Sequence, residues 1–331
     1  MRSPVVLEST PQVAQQGVVV RAQSGFYYIR TPDGDVVEAV ARGKLKLVRG
    51  DQRITSKTLV VPGDIVTFVI GDDGRGLITE VAERRSKLAR RAVRGTRLNV
   101  GVQDKEHVIV ANVDQVAIVM AAAQPAPSLR VLDRYLVIAE HNGLDALIVV
   151  NKIDLLEPGI PEEVFGTYRA IGYPVLYTSA RTGEGIDALR AALVGKETAL
   201  AGPSGAGKSS LLNRVEPGLG EAVSEISEAT GKGRHTTTRA HLFPLHEGGF
   251  IADTAGLREV GLLEMDEGEI AAGFREFRPF IPECRFSGCT HVHEPGCAVR
   301  AAVEGGGITQ QRYDSYLRLL EEDAYKDPWE K

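Results

Sequence analysis

The chain has 331 residues, room for about two average domains with one or two smaller modules. A composition of 43% hydrophobic, 25% charged and 6% aromatic residues is globular and excludes a disordered chain. The formal net charge of −5, taken whole, argues against a nucleic-acid binder coated in positive charge.

Met1–Thr10 carries no apolar run of signal-peptide length, and the longest apolar stretch, Val116–Ala123, is far short of a spanning helix. A soluble, cytoplasmic protein with no membrane partner is expected. Short alternating stretches follow at Gly17–Arg21, Phe26–Arg30, Val36–Ala39, Thr58–Val61, Asp64–Ile70 and Gly76–Val81, separated by turn signals such as Pro32-Asp33-Gly34. Short strands at regular spacing, with no helical period between them, predict a small β-barrel of the OB type. From about Asn112 the pattern changes to buried-strand runs (Val113–Ala121, Ala146–Val150, Val175–Tyr177, Thr198–Ala201, Phe250–Ile251). Between them lie helical segments at Leu129–His141, Gly185–Leu193 and Ser209–Val215. That alternation predicts an α/β domain with a parallel sheet. After Gly256 the chain becomes polar and mostly helical, ending in a charged helix around Ile308–Ala324.

The chemistry is concentrated in the second half. Gly202-Pro203-Ser204-Gly205-Ala206-Gly207-Lys208-Ser209-Ser210 fits GxxxxGK[ST] between a strand and a helix, where backbone N–H groups and the helix dipole converge on a phosphate. Lys208 would bridge the β- and γ-phosphates and the Ser209 hydroxyl would bind Mg²⁺. Asn151-Lys152-Ile153-Asp154, at a strand end, selects guanine: a carboxylate accepts from the N1–H and N2–H₂ pair that adenine lacks. Lys152 would lay its stem on the purine, and Asn151 would tie this loop to the phosphate loop. Thr178-Ser179-Ala180, at another strand end, would offer the Ala180 N–H to guanine O6.

Asp253-Thr254-Ala255-Gly256 fits DxxG, with Asp253 reaching Mg²⁺ through water and the Gly256 N–H sensing the γ-phosphate. Thr236, Thr237 and Thr238 close a glycine-bearing segment able to place one hydroxyl on Mg²⁺; which one is left open. Leu257 stands where Ras-like enzymes carry a water-orienting glutamine. His235 is the candidate for that work, the other reading being an RNA-contacting or solvated side chain. The guanine-specifying loops precede the phosphate loop, the reverse of the ordinary GTPase order. Parallel strands are neighbours in space whatever their chain order, so this is a circular permutation.

Only three cysteines occur. Cys284-x4-Cys289-x-His291-x5-Cys297 supplies the Cys₃His set of a closed structural zinc site, with His293 as a competing imidazole. The charge is unevenly placed: residues 1–110 hold 18 Lys+Arg against 12 Asp+Glu, net +6, and the rest 21 against 32, net −11. Arg84, Arg85, Lys87, Arg90, Arg91, Arg94 and Arg97 form a basic run with no acid, suited to RNA phosphates or, alternatively, to a solvated linker.

With these residues in place the chain resembles the ribosome small-subunit-dependent GTPases of bacteria, the RsgA/YjeQ family. The resemblance rests on Gly231–Thr238 (GKGRHTTT), the permuted order, the cysteine-histidine cluster and the tail CAVRAAVEGGGITQQRYDSYLRLLEE from Cys297. It implies an OB-fold barrel with its basic linker over 1–95, a circularly permuted GTPase domain over 96–258, and a zinc-finger and helical domain over 259–331. It further implies Mg²⁺ with GTP, one structural Zn²⁺ on Cys284, Cys289, His291 and Cys297, and His235 as the catalytic histidine. The implied role is late maturation of the small ribosomal subunit, with its rRNA as partner, by a monomer whose hydrolysis the subunit stimulates and which is then released. A GTP-dependent RNA-binding scaffold with incidental hydrolysis is the alternative, and Asp154 disfavours a P-loop ATPase or kinase. Ala255 departs from the family's DTPG, where proline is expected.

Overall fold

A computed structural model of the chain describes residues 13–49, 52–56, 60–91, 106–223, 240–253 and 265–324. Strands β1 (Gln15–Gln23), β2 (Phe26–Arg30), β3 (Val36–Arg49), β6 (Gly76–Val81) and β5 (Ile65–Ile70) pair in that order, and β5 pairs back onto β1 to close a five-stranded barrel. β4 (Gln52–Ser56) extends β3. Alternate positions point inward, so Val19, Ile29, Ala39, Val66, Phe68, Ile78 and Val81 fill the barrel core. Of the strand expected over Thr58–Val61, the described residues Val60 and Val61 are not strand. Val61 opens the turn at 62–63, its N–H donating to the Asp64 carboxylate at 2.9 Å, and residues 58–59 lie outside the described residues.

Past the barrel, β7 (Lys87–Arg91) pairs antiparallel with β8 (Glu106–Ala111). Leu88 and Val110 of this hairpin are fully buried in the same core as the central sheet, and Asn142 accepts from the Ala89 N–H at 3.0 Å. The basic run is therefore built partly into structure, through Lys87–Arg91 of β7, and the boundary expected at 95/96 lies outside the described residues. Asn112 locks barrel to sheet, accepting from the Arg85 N–H at 2.8 Å and donating to Gly63 O at 2.7 Å.

The central sheet runs β11 (Val175–Tyr177), β10 (Asp145–Asn151), β9 (Gln115–Ala121), β12 (Glu197–Ala201), β14 (Phe250–Asp253), all parallel, with β13 (His241–Pro244) antiparallel at the end. Every residue of β9 is buried, as a central parallel strand requires. Val116, Ile118 and Met120 share a core with α1 (Leu129–His141) and α2 (Ile160–Ala170) on one face. Ala117 and Val119 pack with α3 (Ile186–Leu193) and α4 (Lys208–Val215) on the other. The sequence signals no helix where α2 stands, because Pro161 and Gly166 interrupt its apolar period; Phe165 and Tyr168 anchor it by burial. At the far edge Arg21 of β1 registers with His241 of β13, so barrel and central sheet form one continuous 12-stranded sheet.

The C-terminal region comprises α5 (Glu267–Ala272), α6 (Ala298–Glu304) and α7 (Gln310–Ala324). Asp266 and Glu269 form a reciprocal capping box at the start of α5. Phe274 and Phe277 stack and Tyr316 meets both edge-on, with ring centroids 5.0–5.5 Å apart, and the three join the core that contains α1. No helix among the described residues is long and apolar enough to cross a membrane.

Candidate GTP site and metal centre

Because β10, β11, β12 and β14 are parallel, the segments that follow them emerge at one edge of the sheet, outside the carboxyl ends where α/β folds place their ligands. Asn151–Asp154 leaves β10, Thr178–Ala180 leaves β11, Gly202–Gly207 leaves β12, and Asp253 ends β14. Four segments far apart in sequence thus meet because the sheet brings them there.

The phosphate loop turns sharply into α4. Gly202 has φ +128° and a Cβ there would stand 2.1 Å from Val119 O. Gly207 has φ +91° and a Cβ would stand 2.3 Å from Asn151 Nδ2, so no side chain is tolerated where Asn151 crosses the loop. Asn151 is the keystone: its Nδ2 donates to Ala206 O at 2.9 Å and its Oδ1 accepts from the Ala180 N–H at 3.1 Å. The expected tie from Asn151 to the phosphate loop is thus in place, and it extends to the Ala180 loop. The Ala180 N–H, expected to face guanine O6, is engaged with Asn151 in this structure.

Lys208 Nζ donates to Gly202 O and Pro203 O, each at 2.8 Å, so its charge sits over the loop. Lys152, in the left-handed region at φ +65°, sends its Nζ to Gln124 O. Asp154 accepts from the Ser179 hydroxyl and from Arg181 Nε at 2.7 Å. The Ser179 hydrogen bond and then the Arg181 guanidinium outweigh burial and hold the Asp154 carboxyl below the usual carboxylate range. A carboxylate kept ionised and aimed is what recognition of the guanine N1–H and N2–H₂ edge requires.

Sequence reasoning missed Gln124, Arg181 and Arg214. Arg181 directly follows the Thr178–Ala180 segment, and a cation beside Asp154 was there to be read; Gln124 and Arg214 carry no local signal. His235, Thr236, Thr237, Thr238 and Gly256 lie outside the described residues, as does Arg94. Asp253 is placed by its backbone alone, paired with Leu200 of β12.

In the barrel-proximal basic run, Arg84 forms a bidentate pair with fully buried Asp64, at 2.7 and 2.9 Å. Its guanidinium is committed to holding the turn at the barrel's end. Arg85 is 61% exposed and pairs with Asp114 at 3.0 Å. Lys87, Arg90 and Arg91 lie on β7.

The metal cluster assembles as expected. The ligand atoms of Cys284, Cys289, His291 and Cys297 all lie within 4.8 Å of one another. His291 Nδ1 stands 3.5 Å from Cys284 Sγ and 3.4 Å from Cys297 Sγ, and the two sulfurs are 4.0 Å apart. Tetrahedral zinc with its usual bond lengths needs ligand separations of about 3.5–3.8 Å, so the donor set fits. His293 is exposed and outside the cluster, which settles the choice between the two imidazoles. Burial lowers the pKa of His291, against the opposing Glu294 charge, and so keeps the ring neutral, its ligating form. Burial, with the neighbouring Cys297 and Cys284 sulfurs, pushes the Cys289 thiol up to about 12 despite a hydrogen bond from the His291 backbone. Three thiolates this close would need a cation among them, and the cluster could hold a metal ion. Tyr313 and Tyr316 hydroxyls donate to His291 O and Thr290 O at 2.7 and 2.6 Å, fixing the ligand loop from α7.

A closed barrel, a P-loop α/β domain with its guanine-side loops ahead of its phosphate loop, and a cysteine-histidine module define a circularly permuted GTPase. Comparison with known proteins bears this out. The RsgA GTPase family model matches residues 81–263 and the RsgA N-terminal domain model residues 16–78. The small ribosomal subunit biogenesis GTPase RsgA of Gemmatimonas aurantiaca is 47% identical over 310 residues, 92% of this chain and 96% of that protein. Its counterpart in Moorella thermoacetica is 41% identical over 93% and 97%. The crystal structure of YjeQ from Thermotoga maritima superimposes with TM-score 0.74 at 32% identity, covering 95% of this chain and 100% of that one. That of YloQ, described as a circularly permuted GTPase, gives 0.69 at 30%, covering 96% and 97%. The chain belongs to the RsgA GTPase family.

The packing of Gly207 against Asn151 gives a direct prediction. Gly207→Ala is expected to weaken GDP binding by about 2–3 kcal/mol, roughly 30- to 150-fold in Kd, from left-handed strain plus a displaced Asn151 hydrogen bond. Calorimetric titration checks it, and an affinity within a factor of two of wild type would contradict it.

Proposed function

We propose that this protein hydrolyses GTP to GDP and phosphate on the small ribosomal subunit, late in that subunit's maturation, with the subunit stimulating hydrolysis and hydrolysis driving release. The observation that carries the reading is the convergence of the Asn151, Ser179, phosphate-loop and Asp253 segments on one sheet edge, in a chain of the RsgA family. Curated relatives bear the name of small ribosomal subunit biogenesis GTPases.

In this reading residues 202–210 hold the phosphates, with Lys208 bridging β and γ. Ser209 and one threonine of 236–238 would ligate Mg²⁺, which supplies charge neutralisation on the phosphates. Asp253 would reach the ion through water and the Gly256 N–H would read the γ-phosphate. Lys152, Ile153, Asp154, Ser179 and Ala180 form the guanine pocket, and His235 orients the attacking water in place of the absent glutamine. Zinc is the resident ion of the Cys₃His cluster, one per chain, with a structural role. Arg85, Lys87, Arg90, Arg91 and Arg94 are the proposed rRNA phosphate contacts, Arg84 being committed to Asp64. The three modules act in the cytoplasm as a monomer, divided near 95 and 258.

GTPase rate measured with purified small subunits, large subunits and neither tests the reading. Acceleration by small subunits alone is expected; equal rates in all three would overturn it. Base identity is tested separately by Asp154→Asn, which should move preference from guanine to xanthine nucleotides, since an amide donates where the carboxylate accepts.

A further inference from the structure

The phosphate loop and the base-side loop are tied together twice. Asn151 makes the inner tie, between Ala206 O and the Ala180 N–H. The outer tie belongs to Arg214, in the last turn of α4. Its Nε donates to Ala180 O at 2.6 Å and its Nη2 to Arg181 O at 3.0 Å. The end of α4 is held in turn by Arg190 of α3, whose Nη2 reaches Arg214 O and Val215 O, each at 3.1 Å. Because α3 begins just after this loop, the contacts close a ring: loop, α3, Arg190, end of α4, Arg214, loop.

We propose that Arg214 is a positioning residue for base recognition, setting the base-side loop at a fixed distance from the helix that carries the phosphate loop. A planar guanidinium grips the two successive carbonyls through a fixed fork, which sets their orientation in a way the flexible stem and rotatable ammonium of a lysine do not. What it positions is the surround of Asp154: the Ser179 hydroxyl, the Ala180 backbone and Arg181, whose Nε stands 2.7 Å from the carboxylate. The phosphate end has its own fixings, in Lys208 on Gly202 O and Pro203 O and in Asn151 on Ala206 O. Loss of Arg214 therefore acts on discrimination between bases more than on grip of phosphates. The proposal rests on the guanine reading of Asp154.

The test compares full-length wild type, Arg214→Ala and Arg214→Lys by calorimetry with GDP and with IDP, whose base lacks the 2-amino group. KM and kcat of subunit-stimulated hydrolysis and the melting temperature are measured beside it. Wild-type preference for GDP over IDP checks the guanine reading by itself, independently of Arg214. In Arg214→Ala, GDP binding is expected to weaken about tenfold and IDP binding far less, so that the GDP:IDP preference collapses toward one. KM rises more than kcat falls, and Arg214→Lys recovers only part of the preference, because its ammonium lacks the rigid fork. The ratio decides: a preserved GDP:IDP preference in Arg214→Ala overturns the proposal, whether the melting temperature falls or not.

Discussion

Stripping the metal from the Cys284–Cys297 cluster is expected to unfold the ligand loop and α6 while leaving the central sheet folded. Ordered structure between Cys284 and Cys297 is two short turns and bends, with little apolar burial of its own besides the ligands. Structural zinc sites of this type supply roughly 10–16 kcal/mol of apparent binding free energy, far more than a loop of this length can obtain from packing. Cys297 also caps α6, accepting from the Arg300 N–H at 3.4 Å, so the helix start depends on the same sulfur. Hydrogen exchange after chelation should show protection lost across 284–304 and retained in β9, β10 and β12. The same treatment should release about one zinc per chain. Retained protection over 284–304 in metal-free protein would show that the cluster folds without an ion.

Arg312→Ala is expected to cost about 3–5 kcal/mol of stability, the range for breaking one partner out of a buried ion network. Arg312 on α7 is completely buried. Its guanidinium contacts Asp133 of α1 and pairs with Glu276 at 2.6 and 3.2 Å, and it lies 4.4 Å from the Phe274 ring centroid. Tyr168 of α2 donates to the same Asp133 carboxylate at 2.7 Å. Burial works against the arginine's charge, and Asp133 and Glu276 overcome it, driving its pKa up. Removing the cation strands two buried carboxylates at the seam between the C-terminal module and α1. Urea unfolding of the single variant measures the loss, and a loss under 1 kcal/mol would mean the seam does not depend on this network. Replacing the set together, as Arg312→Met, Asp133→Leu and Glu276→Met, should recover most of it, because apolar packing leaves no charge stranded.

Both predictions concern how modules are held together, and there the sequence says least. The phosphate loop, the NKID segment and the cysteine-histidine spacing were legible because each is a short run whose chemistry depends on local order. Their permuted order was legible too, since a parallel sheet brings strand ends together whatever the order of its strands. The barrel followed from alternation of apolar residues in β1, β2, β5 and β6. α2 was hidden by Pro161 and Gly166, and β7 by the basic run, which reads as a linker until Leu88 is seen in the core.

Partner choice was beyond the sequence. Arg84 looks like its basic neighbours, yet it closes on Asp64 twenty residues back; Arg85 faces Asp114. Arg312 and Asp133 are 179 positions apart, and nothing near either names the other. The sequence by itself determined which chemistry the chain carries, because motif geometry and strand or helix period are set by neighbours within a few residues. Only the tertiary structure decided which charges are spent on architecture and which stay available to a ligand. That choice depends on burial: a charge taken out of water must find its counter-charge wherever the fold puts one.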